Sequence, residues 1–381
     1  MNVKKIAFII CVNSEVYFEE CCWYINRLYI PKPYEIDIIS VREAGSMAEA
    51  YNAAMESCDA KYKVYLHQDV FIYNRNFIAD MVKVFLEDEN IGMLGMVGGI
   101  NISRSGVMYS SWNCGNFISS DWNCTECHTG YQKGPYLYVE ALDGLLIATQ
   151  YDIRWREDIL KQWDFYDVSQ CLEFRKAGYQ IAIPFQNTPW VNHDCGYNKL
   201  KDYNKNRKIV VEAYKEFFTD GFREEDFPYF CEIEEDTERL YREIKARIDA
   251  GCYNEAEMLL AGFEDNGKNK ELLLMKHIME ISQIEKETSI TPQVLRCGLT
   301  ADGLLERYTR IKFYLRRLEM GERTESKEIF QWIQINTISY VEIIMIIKFS
   351  IIDKKYVLEQ IAKAYRAGND DKKAAIVESC M

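Results

Sequence analysis

Residues 63–71, KVYLHQDVF, contain an apolar run that is followed by the polar side chains of residues 67–69. Because alternate side chains of a strand face the same side, His67 and Asp69 are expected to share one face at the strand's carboxyl end. Ligands of open α/β sheets bind at that end of the strands. An imidazole and a carboxylate there would suit a divalent cation that neutralises a diphosphate. The structural alternative is an Asp that caps the next turn beside a hydrogen-bonded His.

Around this run, strand patterns alternate with helical patterns along the chain. The β-α-β-α-β order favours a mainly parallel sheet covered by helices. The predicted strands are 6–12, 36–41, 63–71, 91–99, 136–149 and 179–184, and the predicted helices are 17–29, 46–58, 75–88 and 167–177. Residues 100–135, rich in Ser, Asn, Gly, Cys and Trp, are predicted to be one long irregular excursion.

The composition is that of a globular, acidic chain. It has 381 residues, 48% of them hydrophobic, and a formal net charge of −13, which excludes a disordered or fibrous protein. The acidic excess disfavours nucleic acid and anionic lipid as partners. From about residue 231 the sequence is charged, leucine-rich and helical in pattern. Two domains are therefore predicted, an α/β domain over 1–230 and an all-α domain over 231–381.

The sequence shows neither a secretory signal pattern nor a membrane-spanning segment. The longest later apolar stretch, 338–352, contains Glu342 and Lys348 and is shorter than the roughly 20 apolar residues of a span. The 13 cysteines of the whole chain are scattered, which indicates reduced thiols. These features predict a cytoplasmic protein. The stretch 338–352 is interpreted as a buried helix or as a contact between two copies of the chain.

Two further polar clusters follow in the chain. Residues 163–168 lead into an amphipathic helix, with Asp167 at its start. A carboxylate there caps the helix, acts as a base at the edge of a cleft, or does both. Residues 190–194 include His193, which would be a metal ligand if it joined Asp69.

In this order, the clusters resemble those of family-2-type glycosyltransferases with the GT-A nucleotide-sugar-binding fold. Residues 11–13 resemble the family's nucleotide-binding turn, and 50–54 resemble its Arg-Asn-x-(Gly/Ala) segment. Residues 67–69 stand where the family has the Asp-x-Asp that binds metal and diphosphate. Residues 165–179 resemble the Glu-Asp-Val-Asp-Leu stretch, whose catalytic base falls on Asp167.

The resemblance covers about residues 1–225 and implies a Rossmann-like mixed α/β sheet. It implies a hexosyltransferase of polysaccharide biosynthesis that transfers a sugar, with inversion, from a UDP- or GDP-sugar to a hydroxyl of a glycan acceptor. A Mn²⁺ or Mg²⁺ ion would stabilise the leaving diphosphate. The residues that it implies are the base Asp167; the nucleotide and diphosphate contacts Cys11, Asn13, Arg42, Asn52, His67, Gln68 and Asp69; the metal ligands His67, Asp69 and His193; and the acceptor contacts Asp143, Gly144, Trp163 and Trp190.

The sequence departs from the family pattern at two positions of the site. His67 stands where an Asp is usual, and Tyr166 where a Glu precedes the base. An imidazole in place of a carboxylate favours Mn²⁺ over Mg²⁺, and Asp69 with His193 alone is an alternative ligand set. Arg42 stands where an acidic residue often reads the uracil ribose, so the nucleotide base stays open. The alternative function is an inactive GT-A-fold binding or scaffold protein that acts through its helical part.

A competing motif lies at residues 124–128, CTECH, the pattern of c-type haem attachment. The absence of an export signal argues against haem. Cys114, Cys124, Cys127 and His128 are an alternative tetrahedral zinc set. Thiols and a histidine in an acceptor loop are the favoured interpretation.

Overall fold

A computed structural model describes most of the first 227 residues and several helical stretches beyond them. The described residues are 1–119, 125–129 (backbone only), 134–194, 202–227, 239–240, 242–247, 250, 252–261, 354–367, 369, 371–379 and 381. The chain divides into two compact units, residues 1–121 with 125–234 and residues 122–124 with 235–381. The candidate site lies in the first unit.

The first unit contains both sheets and five of the helices in the described part of the chain. Its strands are β1 (Asn2–Val12), β2 (Glu35–Arg42), β3 (Ala60–His67), β4 (Val70–Ile72), β5 (Ile91–Gly95), β6 (Val97–Gly99), β7 (Cys114–Ser119), β8 (Thr125–Thr129), β9 (Tyr136–Val139), β10 (Ala141–Leu142), β11 (Leu146–Thr149), β12 (Gln180–Pro184) and β13 (Val191–His193). Its helices are α1 (Glu15–Ile25), α2 (Met47–Glu56), α3 (Phe77–Glu87), α4 (Tyr166–Lys176), α5 (Tyr203–Ala213) and a 3-10 turn at Glu224–Asp226.

The larger sheet has the strand order β2-β1-β3-β11-β5-β12-β9. Strand β1 pairs in parallel with β2 and β3, and its register aligns Cys11 with Val41 on one side and with His67 on the other. Strand β11 lies antiparallel between β3 and β5. The sheet is therefore mixed, and the expectation of a mainly parallel sheet from the β-α rhythm is corrected. Short antiparallel strands leave no helical crossover in the sequence to reveal them.

The core of this sheet follows from continuous apolar runs. Residues Ile6 to Ile10 of β1 are completely buried because helices cover both faces of the strand. Helix α3 presents Phe77, Met81 and Phe85 on one buried face, at the spacing of an amphipathic helix. These runs place the strand ends, and the polar residues that follow them, at one edge.

The predicted strand 63–71 is two strands in two sheets. Strand β3 ends at His67, a turn follows at Gln68 and Asp69, and β4 joins the smaller sheet. That sheet has the order β10-β6-β7-β13-β4, with β8 paired to β7. Strand β13 runs antiparallel to β4 and aligns His193 with Val70. This pairing brings His193 beside the turn that carries Asp69.

The irregular excursion predicted for 100–135 contains the strands β7 and β8, so that prediction was wrong in part. The two pair antiparallel, and β7 also pairs with β6. Gly115 lies in β7 at a φ of 111°, and a Cβ there would approach the Met96 carbonyl oxygen to 2.0 Å. Small and polar residues give little strand signal, and close backbone packing is the reason for the glycine.

The described residues of the second unit are helical where they form regular structure. They include residues 242–247 and the helices α6 (Tyr253–Ala261), α7 (Lys354–Ala367) and α8 (Asp371–Ser379). Helices α7 and α8 are joined by an ion pair between Arg366 and Glu378. The stretch 338–352 lies outside the described residues. No helix in the described part of the chain has the length and apolar composition needed to span a membrane.

Candidate active site

Three metal-ligating side chains meet where β3 and β13 end. His67, Asp69 and His193 each offer a ligand atom, and these atoms lie within 4.8 Å of one another. The Asp69 Oδ1 and His193 Nε2 atoms are 3.6 Å apart. The Nε2 atom of His193 is buried and has no hydrogen-bond partner among the described residues. A buried, unpaired nitrogen that faces a carboxylate fits a cation between them, and two imidazoles with one carboxylate suit Mn²⁺.

The two imidazoles have opposite pKa shifts. Burial lowers the pKa of His67, and His193 adds to this effect although Asp69 opposes it. Burial also disfavours charge on His193, but Asp69, with help from Asp143 and Asp194, raises its pKa. A neutral imidazole is the form that binds metal, so His67 is ready to act as a ligand.

Tyr166, the first residue of α4, lies behind His67. Its hydroxyl is 2.5 Å from Nε2 of His67 and 3.2 Å from the carbonyl oxygen of Gly144. The Tyr166 side chain is buried, and a Cβ on Gly144 would come within 2.1 Å of its oxygen. The absence of a side chain at residue 144 therefore makes room for the Tyr166 hydroxyl.

Asp167, the next residue of α4, carries a carboxylate whose pKa is strongly raised. One oxygen accepts a hydrogen bond of 2.8 Å from the Gly144 N–H and the other one of 2.8 Å from the Val168 N–H. Burial and the nearby charge of Asp143 outweigh these two bonds and raise the pKa of Asp167 to about 7. A carboxylate with that pKa is basic enough to accept a hydroxyl proton near neutral pH.

These groups face a cleft of about 230 Å³ in the first unit. Tyr109 and Trp163 border it with about half of each side chain exposed, at 47% and 49%. Phe165 lines it in the left-handed backbone region, at a φ of 63°, where non-glycine residues are strained. The described lining residues contain no Lys or Arg and are His67, Asp69, Met108, Tyr109, Trp112, Asp143, Gly144, Trp163, Asp164, Phe165, Tyr166, Asp167, Val168, His193 and Tyr203.

The loop between β1 and α1 borders the site on the side of the first strands. The Gln68 side-chain oxygen accepts hydrogen bonds of 2.9 Å from the backbone N–H groups of Asn13 and Ser14. The Gln68 amide nitrogen also donates to the Asn13 side chain. Cys11 is partly buried at the end of β1, where burial raises the pKa of its thiol. Gln68 thus holds the loop in place while its neighbours face the metal site.

Arg42, at the end of β2, is committed to other protein groups. It donates to both carboxylate oxygens of Glu15, at 2.8 and 3.0 Å, and to the Ser40 hydroxyl. Its guanidinium also lies 5.0 Å from the centre of the Phe18 ring. These contacts attach β2 to the first turn of α1.

Six residues that the sequence grouped with the site lie outside the cleft lining, namely Cys11, Asn13, Arg42, Asn52, Gln68 and Trp190. Asn52 is buried, and its amide donates to the Trp155 carbonyl at 2.9 Å and accepts from the Trp155 N–H at 2.8 Å. Trp190 packs edge-on against Phe77 and borders a different depression of the surface. By contrast, Asp143, Gly144 and Trp163 do line the cleft.

The sequence did not single out several residues of the cleft. Asp164 and Tyr166 lie in the marked segment 163–168, but only Trp163 and Asp167 of that segment were assigned a site role. Tyr109 comes from the expected irregular region, and Tyr203 comes from α5. Tyr203 accepts a hydrogen bond of 2.8 Å from the Met108 N–H, which holds this loop over the cleft. No local pattern marks such residues, because only the folded chain brings them together.

The predicted zinc set is only partly within the described residues. Cys114 is a buried free thiol at the start of β7. Cys124 lies outside the described residues, and the side chains of Cys127 and His128 are not described. The zinc alternative therefore stays a prediction.

The known proteins to which this chain is similar include a biosynthesis protein and a mannosyltransferase. StrF, a streptomycin biosynthesis protein of Streptomyces griseus, is 28% identical over 232 residues, which are 56% of this chain and 75% of StrF. The structure of S. aureus TarS gives a TM-score of 0.38 at 13% identity and covers 74% of this chain and 53% of TarS, so the chain spans about half the length of that protein. The mannosyltransferase PcManGT of Pyrobaculum calidifontis, in complex with GDP-Man and Mn²⁺, gives a TM-score of 0.38 at 14% identity and covers 77% of this chain and 85% of PcManGT.

The family comparison covers the whole of the candidate site. Residues 7–214 match the family described as "Glycosyltransferase like family". This range runs from β1 through α5 and includes His67, Asp69, Asp167 and His193. Because the match extends over more than half of the chain, the protein belongs to this glycosyltransferase-like family.

Proposed function

We propose that the protein is a metal-assisted, inverting glycosyltransferase with the GT-A fold, which transfers a sugar from a UDP- or GDP-sugar to a hydroxyl acceptor. The observation that carries the proposal is that Asp167 and the cluster of His67, Asp69 and His193 line the same cleft. A base for the acceptor and ligands for a cation beside the leaving group are the two requirements of this reaction.

Asp167 is the proposed base. Its carboxylate removes the proton of the acceptor hydroxyl while that oxygen forms a bond to the anomeric carbon of the donor sugar. The bond from the anomeric carbon to the diphosphate oxygen breaks, and its electron pair leaves with the nucleoside diphosphate. The backbone N–H groups of Gly144 and Val168 hold both carboxylate oxygens in place during this step.

His67, Asp69 and His193 would hold the divalent cation. Such an ion, when bound, stabilises negative charge on a departing diphosphate. The mixed nitrogen and oxygen donor set favours Mn²⁺ over Mg²⁺, since Mg²⁺ prefers oxygen ligands. On the nucleotide side, the site is bordered at the carboxyl ends of the strands by Cys11, Asn13 and Gln68.

The charge of the cleft limits the acceptor. Asp143, Asp164 and Asp167 border it, and its described lining includes no Lys or Arg. Acidic walls repel a phosphate or carboxylate, so the proposed acceptor is a neutral or cationic hydroxyl compound. The exposed faces of Tyr109 and Trp163 are suited to stack on a sugar ring.

The experiment is a thermal-shift screen of UDP, GDP and their sugars, with and without Mn²⁺, followed by an assay of sugar transfer or donor hydrolysis. A ligand at 100 times its Kd stabilises the folded state by about 2.7 kcal/mol, so a specific nucleotide will raise Tm measurably. We expect the shift to require Mn²⁺ and to be lost in Asp69→Asn. Asp220→Asn changes an exposed carboxylate and serves as the matched control.

The outcomes separate the candidate functions. A shift without metal dependence retains the transferase and removes the metal role. Binding without transfer or hydrolysis, or no binding at all, favours the scaffold alternative.

The proposal also covers the domain boundary, the location of the protein and a contact between two copies of the chain. We place the boundary between the catalytic domain and a helical domain near residue 230, and we expect a cytoplasmic hexosyltransferase of polysaccharide biosynthesis. Contact between copies through residues 338–352 would give a dimer or larger assembly in light scattering. A monomer at all concentrations would exclude that contact.

A further inference from the structure

Tyr166 is a cleft residue whose hydroxyl contacts the proposed metal ligand His67. We infer that Tyr166 is a positioning residue, which holds His67 in one ring orientation and one tautomer so that its other nitrogen faces the cation. The inference rests on the metal site of the proposed function. It assigns a role to the residue that stands where the family has a glutamate.

The inferred tautomer follows from one assignment of hydrogens. A phenol has one hydrogen, and the Gly144 carbonyl oxygen, 3.2 Å away, can only accept it. With the Tyr166 hydrogen given to that carbonyl, the Tyr166 oxygen accepts from Nε2–H of His67. With its proton on Nε2, His67 presents the lone pair of Nδ1. Hydrogen bonds of this kind to the far nitrogen of a ligand histidine set its tautomer and increase metal affinity.

Packing keeps the hydroxyl in that position. The Tyr166 ring is buried among aromatic neighbours, with centroids 5.8 Å from Tyr51 and 6.0 Å from Trp155. The space beside its oxygen exists because residue 144 is a glycine. A buried ring packed against these neighbours gives the hydroxyl little freedom to release the imidazole.

The same glycine also binds the proposed base. The Gly144 carbonyl accepts from Tyr166, and the Gly144 N–H donates to Asp167. Two consecutive residues of α4 therefore bind one residue of the β10–β11 connection. Through this residue, the position of the base is coupled to the position of a metal ligand.

The test is the affinity of the full-length protein for Mn²⁺ alone, measured by titration calorimetry without nucleotide. We expect Tyr166→Phe to raise the Kd by about 10–100-fold, as for other lost partners of ligand histidines. The matched control is Tyr51→Phe, because the Tyr51 hydroxyl is buried nearby and has no hydrogen-bond partner among the described residues. Its Kd should equal that of the wild type.

A second measurement needs no change at Tyr166. Nitrogen NMR of metal-free wild-type protein, with His67 assigned through His67→Gln, should show the His67 proton on Nε2. A proton on Nδ1, or an unchanged Kd in folded Tyr166→Phe, would overturn the inference. If the wild type transfers sugar yet binds no Mn²⁺, the inference fails while the transferase stands. If the Kd rises but no donor is turned over, the positioning role stands and the transferase fails.

Discussion

The two sides of the site differ in how their polar groups are used. On the nucleotide side, Gln68 binds the loop at Asn13, and Arg42 binds Glu15. On the side of the cleft that holds the proposed base, the Nε2 atom of His193 has no hydrogen-bond partner in the described structure, and Asp167 has a pKa raised to about 7. The paired groups maintain the shape of the first side. On the second side, the carboxylate with a raised pKa and the unpaired imidazole nitrogen are available for chemistry.

The largest effect is expected from the acceptor side. Asp167→Asn should lower kcat/KM for transfer by about 10²–10⁴-fold, because a general base contributes that much. Binding of the nucleotide should change little, and Asp220→Asn should behave as the wild type. Transfer kinetics and nucleotide titration are the measurements. If Asp167→Asn transferred sugar at the wild-type rate, Asp167 would be a helix cap and not the base.

A large loss of stability, without a loss of ligand affinity, is expected at Asn52. The Asn52 side chain makes two hydrogen bonds to the buried backbone of Trp155. Asn52→Ala should therefore reduce the free energy of unfolding by about 2–4 kcal/mol. Denaturant unfolding and UDP titration check this, with exposed Asn101→Ala as the control. A weaker UDP affinity with unchanged stability would restore Asn52 to the nucleotide site.

The pH dependence should also come from the acceptor side. The base must be ionised, so kcat/KM should rise tenfold per pH unit below about pH 7 and level off above it. The folded-state pKa of Asp167 exceeds its unfolded value. Its stabilising contribution is therefore complete below about pH 4 and lost as pH rises through 7.

Metal-free wild type should accordingly lose about 1–3 kcal/mol of stability relative to Asp167→Asn between pH 4 and 8. Unfolding curves of both proteins over that range measure the difference. A constant difference would show that Asp167 titrates as an ordinary carboxyl group.

The smallest effect is expected on the nucleotide side at Arg42. Its ion pair with Glu15 is exposed and screened by solvent, so Arg42→Ala should change the free energy of unfolding very little. Because the guanidinium is already bound to protein groups, we expect the Kd for UDP to change less than about threefold. Lys83→Ala, which removes another exposed ion pair, is the control. A tenfold weaker Kd would make Arg42 a direct nucleotide contact.

Local patterns in the sequence predicted much of the fold of the first unit. The strand near 36–41 and the helix near 167–177 are present within one residue at each end, and the strand near 6–12 is present but begins four residues earlier, at Asn2. The family resemblance is confirmed by the match over residues 7–214. The apolar run at 63–71 was assigned to one strand, because periodicity does not show that a chain leaves one sheet and enters another at Gln68 and Asp69.

The site residues were predicted unevenly for a related reason. His67 and Asp69 are neighbours in sequence, so their proximity needs only a strand end. His67 and Tyr166 are 99 residues apart, and Asn52 and Trp155 are 103 apart. Such contacts depend on how elements pack, and a residue such as Asn52 looks the same in sequence whether it binds a ligand or a backbone.

The sequence by itself determined the α/β character, the glycosyltransferase-like family, the order of the polar clusters and the place of Asp167 at a helix start. These depend on residue type and spacing within short segments. Only the tertiary structure decided that His193 reaches Asp69, that Tyr166 contacts His67 and that the cleft is acidic. Strand pairing and burial across distant segments set those distances, and burial beside Asp143 sets the pKa of Asp167.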